Sequence, residues 1–291
     1  MYKASTGEVR ADVAAHTKSV TAVALSPDGA TLVTAGDDCS VCGIDGMTGD
    51  LTSRELLPFH GSTEACACVV DEQGRVAEVA PACLVVGHAS AVLALAFSPC
   101  GTWLASGGRD GRVICWQARD VSCRRCMGGH ALAVSALAFS PDGALLASAS
   151  FDATVALWNP SSCEKVRELA GHSGAVHAVA FSPDGSTVAT AGRDKLVQVW
   201  NVGSGARILT LQAHQGFVRA IAFSPDGTSL ASGGADMAVR VWDPVEGNLL
   251  ATFRGHDSQG ECECDYNFPH PDCEVIGHDG TVNAVAFSPG G

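Results

Sequence analysis

The feature that most constrains the fold of this chain is a repeat of fixed length that is marked by histidines. A histidine recurs at one constant interval at five positions, which are His88, His130, His172, His214 and His256. Similar segments such as AVLALAFSPCG and AVHAVAFSPDG follow most of these marker histidines, and an earlier copy follows His16. Self-similarity at a fixed period indicates a structure built from copies of one supersecondary unit.

The unit that starts at His172 is interpreted as four short strands rather than helices. VHAVAF alternates apolar and small side chains and leads into a turn, in which Pro183 and Gly185 suit the second and fourth positions of a type I turn. Three further strands follow, with the sequences STVATAG, KLVQVWN and ARILTLQ. Four antiparallel strands in each copy of a repeat of this length predict one blade of an all-β propeller.

The ends of the repeats carry a second pattern. A glycine precedes most marker histidines, and a tryptophan near the end of the third strand is followed by Asp, Asn or Gln, once as the pair Trp242-Asp243. In these residues the chain resembles the WD-repeat family, of which the G-protein beta subunit is a member, over nearly its whole length. The resemblance implies a β-propeller of four-stranded antiparallel blades, in which the first strand of the chain completes the last blade.

A set of polar residues recurs at fixed distances from the marker histidines. An Asp follows the histidine at a constant interval, a Ser or Thr stands four positions before that Asp, and a Trp stands six positions after it. In the resembled family such residues form a hydrogen-bonded tetrad that holds each blade together. The complete sets are His88, Ser106, Asp110 and Trp116; His130, Ser148, Asp152 and Trp158; His172, Thr190, Asp194 and Trp200; and His214, Ser232, Asp236 and Trp242.

These sets contain the residue types of a hydrolase triad, but they do not indicate catalysis. A catalytic triad occurs once, at a cleft, whereas this set recurs in every regular repeat. The chain also has no nucleophile elbow, phosphate loop, dinucleotide-binding fingerprint or metalloprotease helix. We therefore expect no enzymatic activity, no catalytic residues and no cofactor.

The marker histidines predict a single domain over residues 1–291. Seven blades are expected, with one degenerate and the last incomplete. The degenerate one extends from His60 only to His88, well short of the regular interval, so its inner strand is expected to be short or missing. The expected segments are an outer closing strand at 1–15, blades at 16–59, 60–87, 88–129, 130–171, 172–213 and 214–255, an insertion at 256–277, and the start of an unfinished blade at 278–291.

The insertion is acidic and contains cysteines. It carries six Asp or Glu residues and no Lys or Arg. Three interpretations stay open, namely a zinc site, a local disulfide and an unliganded surface loop, and the charge favours the loop. The candidate zinc ligands have suitable chemistry for a tetrahedral site, although not the spacing of a standard finger: Cys262, Cys264, His270 and Cys273.

The charge and hydropathy of the chain limit its partners. It has 31 acidic and 18 basic residues, and the resulting net charge of −13 repels the phosphates that supply most nucleic-acid affinity. No apolar run approaches the roughly 18 residues of a membrane span, and the first residues lack a secretory signal pattern. We therefore expect neither nucleic acid nor membrane as a partner, and a cytoplasmic or alternatively nuclear location.

The leading hypothesis is a non-catalytic scaffold that binds other proteins on the propeller faces. One alternative is a regulatory or sensory part of a larger protein whose catalytic domain lies outside this chain. Another is a ubiquitin-ligase substrate receptor, although the resembled subfamily has an Arg shortly after the WD pair and Trp242-Asp243-Pro244-Val245 lacks it.

The resemblance also implies which residues face a partner. In WD-repeat propellers the exposed positions on the face where inner strands begin are the fifth residue after the marker histidine and the residue before the tetrad Asp. Here these positions include the expected binding residues Arg109, Phe151, His177, Arg193, Arg219 and Asn283. Arginine with aromatic residues is typical of interface centres, and guanidinium suits carboxylate or phosphate. The expected partners are other proteins, and this composition favours an acidic or phosphorylated peptide. The alternative interpretation is that these are scattered surface arginines without a role in binding.

Overall fold

The computed structural model describes a fold built from strands. The described residues are 14–45, 51–55, 69–70, 76–78, 87–118, 124–212, 214–254 and 280–288. Within these ranges the strands form five four-stranded antiparallel sheets and one two-stranded sheet, with no helix. Accordingly, the described residues include no helix that is long and apolar enough to cross a membrane.

The strands follow the repeat. The first sheet contains β1 (Val20–Leu25), β2 (Thr31–Gly36), β3 (Val41–Asp45) and β4 (Leu51–Glu55), and the short strands β5 (Val69–Val70) and β6 (Val76–Glu78) pair with each other. The second sheet contains β7 (Val92–Phe97), β8 (Trp103–Gly108), β9 (Arg112–Gln117) and β10 (Arg124–Gly129). The third contains β11 (Val134–Phe139), β12 (Leu146–Ser150), β13 (Thr154–Asn159) and β14 (Glu164–Ala170). The fourth contains β15 (Val176–Phe181), β16 (Thr187–Gly192), β17 (Val197–Asn201) and β18 (Arg207–Leu211), and the fifth β19 (Val218–Phe223), β20 (Leu230–Gly234), β21 (Ala238–Trp242) and β22 (Leu249–Arg254).

The chain divides into two compact units. The first consists of Met1–Ser150 with Ala156–Arg167, and the second of Phe151–Val155 with Glu168–Gly291. In the second unit the fourth and fifth sheets share a hydrophobic core, to which Val199 and Leu211 contribute from one sheet and Val218 and Leu230 from the other. Burial of these side chains between the sheets supplies the apolar stabilisation that each sheet cannot obtain alone.

The turn after the first strand of the fourth sheet forms as the sequence predicts. Gly185 has a φ of 73°, in the left-handed region that favours glycine. The hydroxyl of Ser182 donates to the carboxylate of Asp184 at 2.5 Å, and the same oxygen accepts the backbone N–H of Ser186 at 3.0 Å. The SPDG sequence therefore closes the hairpin by side-chain hydrogen bonds as well as by backbone conformation.

Each first strand contains a β-bulge near its start. In β15, Val176 pairs with Gly192 and Ala178 pairs with Ala191, so His177 is an extra residue without a cross-strand partner. A bulge disrupts the ladder locally and re-aims the side chain of the extra residue. The same irregularity falls at Thr21, Leu93, Ser135 and Arg219.

The first two sheets pack directly against each other within the first unit. Val33 and Val41 of the first sheet share one core with Val92, Leu104 and Trp116 of the second sheet. Sheets that share a core are neighbours, and the degenerate blade expected at 60–87 stays a prediction. Within 60–87 the structure describes only β5, β6 and Gly87.

The two ends of the predicted ring are described to different extents. Of the closing strand expected at 1–15, only Ala14 and Ala15 are described. Of the last blade expected at 278–291, residues 280–288 are described. Val282 there is buried, and its backbone N–H donates to the carbonyl of Gly234 at 3.0 Å.

Candidate partner-binding face and the tetrads that position it

The tetrad of the fourth sheet is a continuous chain of hydrogen bonds. His172 donates through Nδ1 to Asp194 at 2.8 Å, and the hydroxyl of Thr190 donates to Nε2 at 2.8 Å. The indole Nε1 of Trp200 donates to the same hydroxyl oxygen at 2.9 Å. Asp194 also accepts the backbone N–H of Ser173 at 3.1 Å, which ties the start of the repeat to the turn before β17.

The other predicted sets are brought together in the same way. His88 bonds Asp110 at 3.0 Å and Ser106 at 2.8 Å. His214 bonds Asp236 at 2.9 Å and Ser232 at 2.7 Å. In both sets the tryptophan donates to the serine, from Trp116 at 2.7 Å and from Trp242 at 2.8 Å.

The set that starts at His130 has the same bonds to its serine. In the first unit His130 bonds Ser148 at 2.7 Å and Trp158 donates to Ser148 at 2.8 Å. Asp152 of that set belongs to the second unit, where it accepts the backbone N–H and the hydroxyl of Thr154 at 3.0 and 2.6 Å.

The first sheet has a network without tryptophan. His16 bonds Asp38 and Thr34, each at 2.9 Å, and Ile44 stands where the other repeats have Trp. An isoleucine cannot donate to the threonine hydroxyl. The first sheet therefore keeps the His–Asp and His–Thr bonds of the network but not the bond from an indole.

A buried arginine joins the tetrad of the fifth sheet, and sequence reasoning missed it. Arg240 is 3% exposed and donates to Asp236 at 2.8 Å. Burial by itself raises the pKa of Asp236, but bonds from His214, the backbone of Gln215 and Arg240 outweigh it and hold the pKa at about 2. The available signal was a charged residue in the middle of a third strand, where the other repeats have Cys, Ile, Ala or Gln.

The exposed face of the second unit carries five residues that we call the basic aromatic cluster: Phe151, His177, Arg193, Phe217 and Arg219. The rings of Phe151 and His177 meet edge to face, with centroids 5.5 Å apart and planes at 83°. The guanidinium of Arg193 lies over the ring of Phe217 at 5.1 Å. Burial lowers the pKa of His177, and the positive charges of Arg219 and Arg193 lower it further.

Backbone geometry places these side chains. His177 and Arg219 are the extra residues of two bulges, so they leave the face of their strands. Arg193 stands in the turn before the tetrad Asp, and its backbone N–H donates to the carbonyl of Ala175 at 2.7 Å. Asp194 is bonded to His172, so the tetrad holds the turn that presents Arg193.

Five of the six predicted binding residues lie in the second unit. Arg219 donates through Nη1 to the Oδ1 of Asn283 at 3.5 Å, which brings the fifth of them to the edge of the cluster. Arg109 lies in the first unit. Its backbone N–H donates to the carbonyl of Ala91, and this bond is equivalent to the bond from Arg193 to Ala175.

Phe217 is a cluster residue that the sequence analysis did not identify. It lies three residues after a marker histidine, at a position that holds Ser or Ala in the other regular repeats. A large aromatic side chain at an otherwise small position was the signal that could have found it.

The two exposed arginines have unused binding capacity. Within the described part of the chain, neither Arg193 nor Arg219 forms an ion pair with a carboxylate. The hydrogen bond of their guanidinium groups there is the one from Arg219 to Asn283. Stacking on a ring occupies a face of the guanidinium and leaves its in-plane N–H donors for an acceptor. The cluster can therefore offer charge-assisted donors beside the 41% exposed ring of Phe151.

No metal site is found among the residues that the structure describes. The candidate ligands Cys262, Cys264, His270 and Cys273 lie outside those residues, so zinc binding by the insertion stays a hypothesis.

Comparison with known proteins adds a family and structural neighbours. The family model described as WD domain, G-beta repeat matches residues 7–45, 81–117, 121–159, 163–201 and 205–243. The chain is similar to the crystal structure of RRP9 WD40 repeats, with 28% identity and a TM-score of 0.66 over 82% of this chain and 64% of that one. It is also similar to the structure of U3-55K, with 29% identity and a TM-score of 0.66 over 82% of this chain and 65% of that one.

The chain therefore spans less than two thirds of the length of each of these structures. No curated protein matches its sequence. The five matched repeats cover more than half of the chain, and each contains the first three strands of one of the five four-stranded sheets. On this evidence the chain is a β-propeller protein that belongs to the WD40 family.

Proposed function

We propose that this protein is a non-catalytic scaffold that binds an acidic or phosphorylated segment of a partner protein at the basic aromatic cluster. The observation that carries the proposal is the pair of exposed guanidiniums, Arg193 and Arg219, which have no carboxylate partner among the described residues. Arg193 lies over the ring of Phe217, and the ring of Phe151 packs on His177 in the same cluster.

The cluster has the composition of an interface centre. Arginine and aromatic side chains carry most of the energy at such centres, because they combine a large contact area with directional donors. The contact of Arg193 with Phe217 holds the guanidinium before a partner arrives, which reduces the entropy lost on binding. A local positive site on a chain with a net charge of −13 would also direct an acidic partner toward this face.

The tetrads support a structural rather than catalytic role for the repeated His, Ser and Asp residues. The hydroxyl of Ser106 is fully buried, donates to His88 and accepts from Trp116. A nucleophile has to be exposed to its substrate and in contact with a base. The hydroxyls of the other complete sets, on Ser148, Thr190 and Ser232, are equally buried.

Peptide binding tests the proposal. The purified full chain is probed with peptides of identical sequence except at one position, which carries phosphoserine, glutamate or glutamine. The variant with Arg193→Glu and Arg219→Glu should bind the anionic peptides at least about tenfold more weakly, since charge-assisted hydrogen bonds contribute about 1.5–3 kcal/mol each. The control is Arg254→Glu on the exposed outer strand β22, which is compared with the single variants Arg193→Glu and Arg219→Glu, because each of the three makes the same change of charge.

Three results would contradict the proposal. They are equal binding of charged and neutral peptides, equal loss with the Arg254→Glu control, and binding of single-stranded RNA in place of the anionic peptides. Comparison of the phosphoserine and glutamate peptides identifies which anion the site prefers.

A further inference from the structure

His177 is the residue of the basic aromatic cluster that can change charge near neutral pH. It is the extra residue of the bulge in β15, and its half-buried ring packs edge to face on Phe151. The guanidiniums of Arg219 on β19 and Arg193 after β16 both act on it. An anion bound by the two arginines would therefore interact electrostatically with the side chain of His177.

The acidic groups on the neighbouring elements are engaged elsewhere. Asp194, next to Arg193, accepts from His172 at 2.8 Å. Asp152, next to Phe151, accepts from the backbone and the hydroxyl of Thr154. Among the described residues, the charges that shift the pKa of His177 are thus the two arginines, and both favour the neutral imidazole.

An anionic ligand reverses this balance. A negative charge held by the two arginines offsets their repulsion of a third positive charge, and an opposite charge within about 4–6 Å favours the protonated imidazole. Binding free energies are linked reciprocally. An anion that favours protonation of His177 is therefore bound more tightly when His177 is protonated. We propose that an anion held by Arg193 and Arg219 is bound together with a proton on His177, so that the cluster binds acidic or phosphorylated partners more tightly as the pH falls.

This inference rests on the proposed function, because it assigns the anion to the same arginines. Sulfate is the probe, because its charge stays at −2 from about pH 8 to pH 5, the range in which histidine titrates. The Hε1 resonance of His177, assigned by its loss in His177→Gln, is titrated by NMR with sulfate and with chloride at equal ionic strength. We expect sulfate to raise the midpoint by about one unit, and the affinity for sulfate to rise about tenfold between the two pH limits.

The variants separate the proposed anion binding by the two arginines from its linkage to a proton on His177. The affinity of His177→Gln for sulfate should no longer rise at low pH, whereas the variant with Arg193→Glu and Arg219→Glu should lose binding at every pH. If wild type and His177→Gln show the same pH dependence, the proton linkage is wrong and the proposed function stands. If the arginine variant binds as wild type does, or if wild type binds neither probe, both claims are wrong.

Discussion

At the scale of single residues, the tetrads show why a buried polar side chain is retained in each repeat. Trp200 is 3% exposed and its indole N–H bonds a threonine hydroxyl that itself bonds His172. The ring therefore contributes apolar burial and also the donor that satisfies a buried acceptor. Loss of either partner leaves a polar group unpaired, at a cost of about 1–3 kcal/mol.

Truncation of a tetrad tryptophan should destabilise the protein strongly. We expect Trp158→Ala or Trp200→Ala to lower the free energy of unfolding by about 3–5 kcal/mol, as large aromatic deletions from cores do. Trp103→Ala should cost less, because Trp103 is only partly buried and lies outside the tetrads. Chemical denaturation of the three variants measures the difference, and equal losses at all three positions would contradict this assignment.

At the scale of structural elements, the bulge decides which side chains reach the exposed face. The sequence VHAVAF alternates as a regular strand does, and nothing in its alternation shows that His177 lacks a cross-strand partner. Next to the bulge, the turn before β17 bonds back to the start of β15, where the backbone N–H of Arg193 donates to the carbonyl of Ala175. Equivalent bulges fall at the same position of the first strand in each of the other four-stranded sheets.

We expect the fold to tolerate deletion of the acidic insertion. We predict that deletion of residues 257–276 changes the free energy of unfolding by less than about 1 kcal/mol, because loop-closure entropy depends only weakly on length. Replacement of the same residues by a Gly-Ser segment of equal length controls for chain length. Unfolding of the deletion variant, or stoichiometric zinc in the purified protein by elemental analysis, would oppose this prediction.

At the scale of the whole molecule, the repeated carboxylates couple stability to pH. Aspartates recur in the tetrads and in the SPDG turns, and several have a pKa below the ordinary value of 3.8. Bonds from the hydroxyls of Ser182 and Ser186 lower the pKa of Asp184 to about 2, and Asp236 has the same value. Because the unfolded chain binds a proton at a higher pH than the folded one, this stabilisation is present above about pH 4 and lost as the pH falls toward 2.

The protein should therefore lose stability steeply in acid. We expect these carboxylates to leave the urea midpoint of unfolding nearly unchanged from about pH 7 to pH 5. Their protonation should lower the midpoint between about pH 4 and pH 2. Asp184→Asn keeps an acceptor in the turn but removes the titrating group, so its midpoint should fall less over the same acid range. Superimposable pH profiles for wild type and this variant would show that the turn carboxylate contributes nothing to acid sensitivity.

The amino-acid sequence by itself determined the repeat, the four-stranded unit and the members of the tetrads. These features are local and recur, so each copy reports the same backbone pairing and the same polar spacing, as in His172, Thr190 and Asp194. Only the tertiary structure decided that Phe217 lies under Arg193, that Arg240 enters the tetrad of the fifth sheet, and that the first two sheets share a core across residues 60–87. The physical reason is that these contacts join segments far apart in the chain, through packing that no local pattern encodes.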